Sequence, residues 1–249
     1  MGQSRDAACP RPARAVSWTF RLEVGPQMWD WTMGPPDLQG LRSIRTPRST
    51  EKSRHIPVQA HSVTLDGPIH LESGLEHDLV RELDRDPDVE WIVSQPVRLG
   101  LRTSGGRPRT HTPDLLVLRR EGAVTIWDVR PLEKQDEKFA EIRGLTASAC
   151  AEVGWQYRVY GGGSPVRRDN LRWLTAYRRQ MPWYPNAKDE LLEICREPRA
   201  TVGAVLDADH GAGHLVSAMW HYAWTGAVVM DLDSPIGRST PIREHRDAL

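Results

Sequence analysis

The chain has 249 residues, enough for one large domain or two of ordinary size. Its 33 basic and 33 acidic residues give a formal net charge of zero, which excludes nucleic-acid binding through overall basicity. Its three widely spaced cysteines exclude a disulfide framework, and no segment has the ~20 consecutive apolar residues that span a bilayer, so we expect a cytoplasmic protein.

Residues 1–60 are predicted to form a basic N-terminal arm. They contain nine basic and five acidic side chains among frequent proline, glycine and serine. Residues 16–24 are predicted to form one strand, and a partly disordered tail is the favoured interpretation of the remainder. The alternative is an arm that contacts DNA or a partner through cations suited to phosphates: Arg42, Arg45, Arg48, Lys52 and Arg54.

Regular structure begins near residue 70. A first helix is predicted there, with Ser73 as its N-cap, Glu76 three residues later and Asp86-Pro87 as its end. A strand is predicted next at 89–93. Three strands linked by hairpins follow it at 97–101, 115–118 and 124–129, with turns at 104–108 and 121–122.

A second helix is predicted over residues 134–153, where apolar residues share one face and Gly154 follows the last turn. A final strand over 155–160 ends at three glycines. The order of helix, three strands, helix and strand predicts an α/β fold in which helices flank a mixed sheet. Functional sites are expected at the strand ends of such a fold.

Charged residues lie at the ends of the two central predicted strands. Asp114 follows Pro113 directly before one strand, and Asp128 and Arg130 end the next. Asp128 and Arg130 are two residues apart, so the period of a strand places both on one face. Two carboxylates near one point suit Mg²⁺, and a scissile phosphate can complete its coordination.

This order of elements and charges resembles the PD-(D/E)xK nuclease superfamily, which has an αβββαβ core. The resemblance is closer to the N-terminal domain of TnsA-like endonuclease subunits of heteromeric transposases, and it covers roughly residues 60–165. The segments that carry it are Glu72-Ser73-Gly74-Leu75-Glu76-His77-Asp78, Asp86-Pro87-Asp88-Val89, Gln95-Pro96, His111-Thr112-Pro113-Asp114 and Cys150-Ala-Glu-Val-Gly154-Trp155.

The resemblance implies that Glu76, Asp114 and Asp128 are the catalytic carboxylates and hold Mg²⁺, for which Mn²⁺ substitutes. Arg130 falls where the family usually has lysine, and the two cations are not equivalent because a guanidinium is planar and not readily deprotonated. Three interpretations stay open. Arg130 substitutes directly, Lys134 or Lys138 takes its role, or the site is weakened.

Each site residue also has a structural interpretation. The alternative for Glu76 is a glutamate that is stabilised by the favourable field at a helix N-terminus, and Glu72, one turn earlier, is then the substitute ligand. Asp128 lies in an apolar run and needs a partner or a metal, because an unpaired buried carboxylate is costly. We predict that Gln95 and Pro96 end a strand and that Trp155 and Tyr157 belong to the core. His77 and His111 flank the carboxylates, and an incidental position is favoured over contact with phosphate or proton transfer.

Residues 166–249 are predicted to form a basic connector followed by a winged-helix-like C-terminal domain, after a nuclease domain at 61–165. The connector interleaves aromatic residues with arginines that suit DNA: Arg167, Arg168, Arg172, Arg178 and Arg179. Helices are predicted at 190–195, 201–206 and 213–224, and wing strands at 227–232 and 239–242. The third helix lacks arginine and lysine, so it favours protein docking at least as much as base reading.

Together these features predict a Mg²⁺-dependent DNA endonuclease subunit that nicks double-stranded DNA at transposon ends. The expected partners are an integrase-fold transposase that performs strand transfer and an AAA+ ATPase regulator. The alternatives are a catalytically silent scaffold, a transcriptional regulator that uses the winged helix, and a stand-alone restriction or repair nuclease.

Overall fold

The computed structural model describes residues 16–45 and 58–245. The strands of these residues are β1 (Ser17–Leu22), β2 (Gly25–Met28), β3 (Val58–Ser62), β4 (Gly67–Leu71), β5 (Val89–Ser94), β6 (Val97–Arg102), β7 (Pro108–His111), β8 (Leu115–Arg119), β9 (Val124–Val129), β10 (Gln156–Tyr160), β11 (Val228–Val229) and β12 (Arg243–Glu244). The helices are α1 (Gly74–Asp84), α2 (Glu137–Glu152), α3 (Pro165–Leu174), α4 (Tyr184–Arg196), α5 (Val202–Ala208) and α6 (His214–Trp224).

A central sheet of four strands has the order β10-β9-β8-β5. Strands β5, β8 and β9 are antiparallel neighbours, and β10 joins parallel to β9 after the crossover through α2. The predicted mixed sheet is thereby confirmed. The elements α1, β5, β8, β9, α2 and β10 follow the αβββαβ order.

Strands β6 and β7 leave the central sheet, which was not predicted. They form a second sheet of order β2-β1-β6-β7, in which β6 pairs with β1. The chain changes direction at Gln95, whose φ of 42° lies in the left-handed region, and Pro96 follows. The strand predicted at 97–101 is therefore confirmed as β6, and the β6–β7 hairpin is an excursion between two strands of the central sheet.

The strand predicted at residues 16–24 is confirmed as β1. Trp18 and Phe20 of β1 are buried, and their rings lie 5.6 Å and 6.2 Å from the ring of Trp155. Strands β1 and β2 are therefore part of the folded core, whereas the boundary of the N-terminal arm at residue 60 stays a prediction. Of the five cations that were predicted to suit phosphates, three lie outside the described residues: Arg48, Lys52 and Arg54.

Layers cover both faces of the central sheet. Leu115 and Val117 of β8 pack with α1 and the β3–β4 hairpin, whereas Leu116 packs with α2 and the second sheet. This alternation is the period of two expected of a strand buried on both faces. Asp136 caps α2 by accepting the Phe139 N–H at 2.8 Å, so the helix begins later than the predicted residue 134.

Helices α3 to α6 surround a separate apolar cluster in which Leu174, Leu191 and Met219 are fully enclosed. The predicted helices at 201–206 and 213–224 correspond to α5 and α6, whereas α4 begins earlier than predicted, with Pro185 in its first turn. Strand β11 pairs with β12, so the predicted second wing strand at 239–242 is wrong. The antiparallel pair of β11 and β12, with two residues in each strand, completes this part of the chain.

Helix α1 joins this C-terminal part to the nuclease-like core. The Arg85 side chain at its end donates to the carbonyls of Ala223 and Trp224, at 3.0 Å each, which are the last carbonyls of α6. Arg167 of α3 pairs with Glu82 of α1 through two contacts of 2.6 and 2.8 Å. The predicted domain boundaries at residues 60 and 165 stay predictions.

Candidate active site

Asp114 and Asp128 face each other across the β8–β9 pairing. Leu115 is paired with Trp127, and the same register continued by one residue places Asp114 opposite Asp128. The Asp114 N–H donates to the Trp127 carbonyl at 2.9 Å, which extends the ladder to this residue. Opposed side chains of an antiparallel pair share a face, with Cβ atoms about 5 Å apart. The fold therefore brings the two predicted carboxylates together.

The surroundings of this pair disfavour ionisation of Asp114. Burial raises the pKa of Asp114 well above its ordinary value, and the negative charges of Asp128 and Glu76 raise it further. The Val129 N–H donates to Asp114 Oδ2 at 2.6 Å and only partly opposes this effect. Mutual repulsion of carboxylates in a poorly solvated site is relieved by a bound cation.

Glu76 lies in the first turn of α1 and has two roles in the structure. It completes a capping box, in which Glu76 Oε1 accepts from the Ser73 hydroxyl at 2.8 Å and Oε2 accepts from the Glu72 N–H at 2.8 Å. It also lines the cleft that contains Asp114 and Asp128. Burial raises the pKa of Glu76, so its charge is poorly solvated there. The capping interpretation and the proximity to Asp114 both hold.

Two residues that sequence reasoning set aside hold Asp128, which is only 2% exposed. His111 Nε2 lies 3.0 and 2.9 Å from the two Asp128 oxygens, and the Tyr157 hydroxyl donates to Oδ2 at 2.5 Å. Burial and the nearby Asp128 raise the pKa of Tyr157, so the phenol stays a donor at neutral pH. The interpretation of His111 as incidental is wrong, and that of Tyr157 as a core residue is incomplete.

The contact of Tyr157 with Asp128 follows from the register between β10 and β9. Val159 pairs with Asp128, and Tyr157 is two residues earlier on the same face of that strand. Parallel pairing after a crossover cannot be read residue by residue from one sequence, so this neighbour was missed. His111 reaches Asp128 from β7 of the second sheet, and no local pattern indicates that contact.

Three cations line the cleft, which has a volume of about 680 Å³: Arg130, Lys134 and Lys138. Arg130 is held from two sides, because its Nε donates to the Lys134 carbonyl at 2.5 Å and its guanidinium lies 4.9 Å from the centre of the Phe139 ring. The other guanidinium nitrogens stay available to an anion. All three candidates for the family's lysine therefore share the site with the carboxylates.

The donor chemistry of the cleft fits Mg²⁺. Within residues 16–45 and 58–245, no group of three or more His, Cys, Asp or Glu has the arrangement of a preformed metal site. Mg²⁺ does not require one, since it keeps several waters and is commonly held by one or two carboxylates together with substrate phosphates. Asp114 and Asp128 supply those two carboxylates, and they are close enough to raise the pKa of Asp114.

The arginines predicted to bind DNA are mostly engaged within the chain. Arg167 pairs with Glu82, and Arg168 and Arg172 lie 4.0 and 3.6 Å from the buried Asp78. Arg178 donates to the Thr175 carbonyl at 2.7 Å, and Arg179 is exposed. Their contact with DNA stays a prediction.

Helix α6, which corresponds to the third helix predicted at 213–224, offers little to a DNA groove. Trp220 and His221 are only 6% and 5% exposed, and His221 Nδ1 lies 2.8 Å from the Tyr177 carbonyl. Of the side chains considered for base reading, His214 and Ser217 remain at least partly accessible. The buried side chains serve the core of the C-terminal part.

The mixed α/β fold, with a carboxylate-lined cleft at the ends of its central strands, fits an endonuclease-like fold. Residues 86–161 match the family described as the TnsA-like endonuclease N-terminal domain. The predicted resemblance to TnsA-like endonuclease subunits is therefore confirmed over this range.

The matched range runs from the entry to β5 through the end of β10 and contains Asp114, Asp128 and Arg130, but not Glu76. A comparison with curated proteins gives no match. Among the described residues, no helix has both the length and the apolar character required to cross a membrane.

Proposed function

We propose that this chain is the Mg²⁺-dependent DNA endonuclease subunit of a heteromeric transposase and that it hydrolyses phosphodiester bonds at transposon ends. The observation that carries the proposal is the opposed pair Asp114 and Asp128 within the matched range, where burial and then the charge of Asp128 raise the pKa of Asp114. A separate integrase-fold transposase would perform strand transfer, and an AAA+ ATPase is the proposed regulator.

In this proposal, Asp114 and Asp128 hold Mg²⁺, and Glu76 adds a third negative charge at the edge of the cleft. The metal, when bound, lowers the pKa of a bound water and neutralises charge on the scissile phosphate. Arg130, with Lys134 or Lys138, stabilises the additional negative charge that develops on the phosphate during attack.

His111 and Tyr157 are proposed to orient Asp128. Their three contacts with its oxygens restrict rotation of the carboxylate, and an oriented ligand shell is a common requirement of metal sites. Both are positioning residues in this account, because they act through Asp128.

The experiment is a nicking assay on a transposon-end duplex and on supercoiled plasmid, with and without the transposase partner. We expect cleavage in Mg²⁺ or Mn²⁺, none in EDTA, and a loss of at least about 100-fold in Asp114→Asn, since the metal loses a charged ligand. Tyr157→Phe should retain more activity than Asp114→Asn. Cleavage that survives chelation would rule out the proposed mechanism.

The role of Arg130 is separable in the same assay. Arg130→Ala should lower the cleavage rate strongly if the guanidinium substitutes directly for lysine, whereas Lys134→Ala or Lys138→Ala should do so if either amine takes the role. A full rate in Arg130→Ala would discard direct substitution.

A catalytically silent scaffold is the second candidate, and one observation favours it. Arg130 occupies the usual lysine position with its Nε already bonded to the Lys134 carbonyl, so it is less free than a lysine to follow a moving phosphate. The winged-helix-like region is proposed to dock a protein, consistent with the burial of Trp220 and His221. Binding of partners without nicking under every metal condition would establish the scaffold.

A further inference from the structure

The hairpin formed by β6 and β7 carries four arginines, which differ from those of α3 in their exposure and in their carboxylate partners. Arg98, Arg102, Arg107 and Arg109 are all exposed. Among the residues that the structure describes, no carboxylate lies within 4.0 Å of their charged nitrogens, whereas Arg167, Arg168 and Arg172 each have one. Unpaired cations at the surface keep their charge available to an external anion.

Strand register separates these four arginines by face. Arg109 pairs with Leu101 and His111 pairs with Leu99, so Arg109 and His111 share the face of β7 that is turned toward the nuclease core. Two residues of a strand span about 7 Å, and His111 contacts Asp128. Arg109 therefore lies about 7 Å along the strand from His111, which lines the cleft.

Arg98 and Arg102 lie on the opposite face of the hairpin. They alternate along β6 with Val97, Leu99 and Leu101, which are buried in the core. Arg107 lies in the turn next to Arg109. One side of the hairpin thus continues the cleft, and the other side faces away from it.

The composition of the hairpin tip, residues 104–110, favours a nucleic acid over a protein as the partner. Residues 104–110 are all exposed and contain no large apolar side chain. Protein interfaces generally rely on aromatic or aliphatic anchors, whereas binding to a phosphate backbone needs only cations and small polar groups. The chemistry of the tip favours the backbone of duplex DNA.

We infer that the cleft side of the β6–β7 hairpin, through Arg107 and Arg109, binds the phosphate backbone of double-stranded DNA beside the bond to be cut. The inference rests on the proposed nuclease function. It assigns the DNA contact to this hairpin in place of Arg167, Arg168 and Arg172, whose charges are shared with α1.

The test measures binding of the full chain to fluorescent duplex DNA in EDTA, where no cleavage is expected, across a series of salt concentrations. Arg107→Ala with Arg109→Ala should weaken binding about 10-fold and lower the salt slope by about 2, since each phosphate contact contributes roughly 0.9. The charge-conserving pair Arg107→Lys and Arg109→Lys should keep most of the affinity.

Arg98→Ala is the matched control, because it removes an exposed arginine from the opposite face of the same hairpin and should change affinity less than twofold. Unchanged thermal unfolding would show that the alanine variants are folded. Equal binding by the double variant and the wild type would overturn this inference even if Mg²⁺-dependent nicking is observed. Binding without nicking would overturn the proposed function and leave the hairpin assignment standing.

Discussion

Helix α1 borders two groups of carboxylates with opposite surroundings. At its first turn, Glu76 lies near Asp114 and Asp128, and burial together with the charges of Asp128 and Glu76 raises the pKa of Asp114. Farther along, Asp78 lies 2.6 Å from Arg81, and Glu82 pairs with Arg167. Among the described residues, no arginine or lysine lies within 4.0 Å of the Asp114 or Asp128 carboxylate.

The two groups differ in their partners: arginines neutralise Asp78 and Glu82, whereas no arginine or lysine among the described residues neutralises Asp114 and Asp128. Buried carboxylates that only support structure are expected to be paired, because an isolated buried charge destabilises the native state. The α1–α3 contact follows that expectation. The carboxylates of the cleft have no arginine or lysine partner among the described residues. We therefore expect a bound cation to stabilise this site.

The largest effect on stability is expected at the balanced end of the helix. Asp78 is 5% exposed and faces Arg81, with Arg168 and Arg172 at 4.0 and 3.6 Å. Asp78→Ala should lower the free energy of unfolding by about 3 kcal/mol, because it leaves Arg81 without its carboxylate partner in a poorly solvated place. Urea unfolding measures this change. A loss below about 1 kcal/mol would mean that this contact is not a major structural support.

His77 makes the same region sensitive to pH. Burial and the nearby charge of Arg81 lower the pKa of His77 to about 4, and Arg81 donates to its Nδ1 at 3.0 Å. The unfolded chain therefore takes up a proton near pH 6.5 that the folded chain refuses until about pH 4. Stability from this group is complete above pH 6.5 and is lost as the pH falls toward 4.

The size of that loss should be on the order of 2 kcal/mol. His77→Gln removes the titrating group, so the stability difference between wild type and variant should change over this interval of pH. Chemical unfolding at a series of pH values gives the comparison. Parallel curves for the two proteins would refute the expected linkage.

A smaller effect is expected for Arg167, which is partly exposed and contacts Glu82 through two nitrogens. Arg167→Met keeps much of the apolar stem and removes the charge, so the free energy of unfolding should fall by about 1 kcal/mol. The matched control is Arg238→Met, since Arg238 and its partner Asp207 are more exposed and should contribute less. Equal losses in both variants would show that the Arg167–Glu82 pair between α1 and α3 contributes no more to stability than an exposed ion pair.

Local patterns in the sequence predicted the parts of the site that depend on nearby residues. The positions of Asp114 and Asp128 at the ends of two successive strands predict that they lie near one point, and the spacing of Ser73 and Glu76 predicts the N-terminal cap that the structure contains. Both follow from backbone geometry within one or two elements.

Contacts between distant segments could not be predicted in this way. Strand β6 leaves the central sheet because β1, some 80 residues earlier in the chain, pairs with it and buries Trp18 against Trp155. That second sheet is what carries His111 to Asp128. The arginines of α3 appeared free in sequence because their carboxylate partners lie on α1, far along the chain.

The most direct test of the central claim is the thermal unfolding of wild type, Asp114→Asn and Asp78→Asn, each with EDTA and with Mn²⁺. The unbalanced cleft predicts that Mn²⁺ stabilises the wild type and Asp78→Asn. Without metal, Asp114→Asn should be at least as stable as the wild type, because a repelled charge is removed, and Mn²⁺ should add little to it. An Asp114→Asn protein that is destabilised in EDTA and gains as much from Mn²⁺ as the wild type would contradict the account.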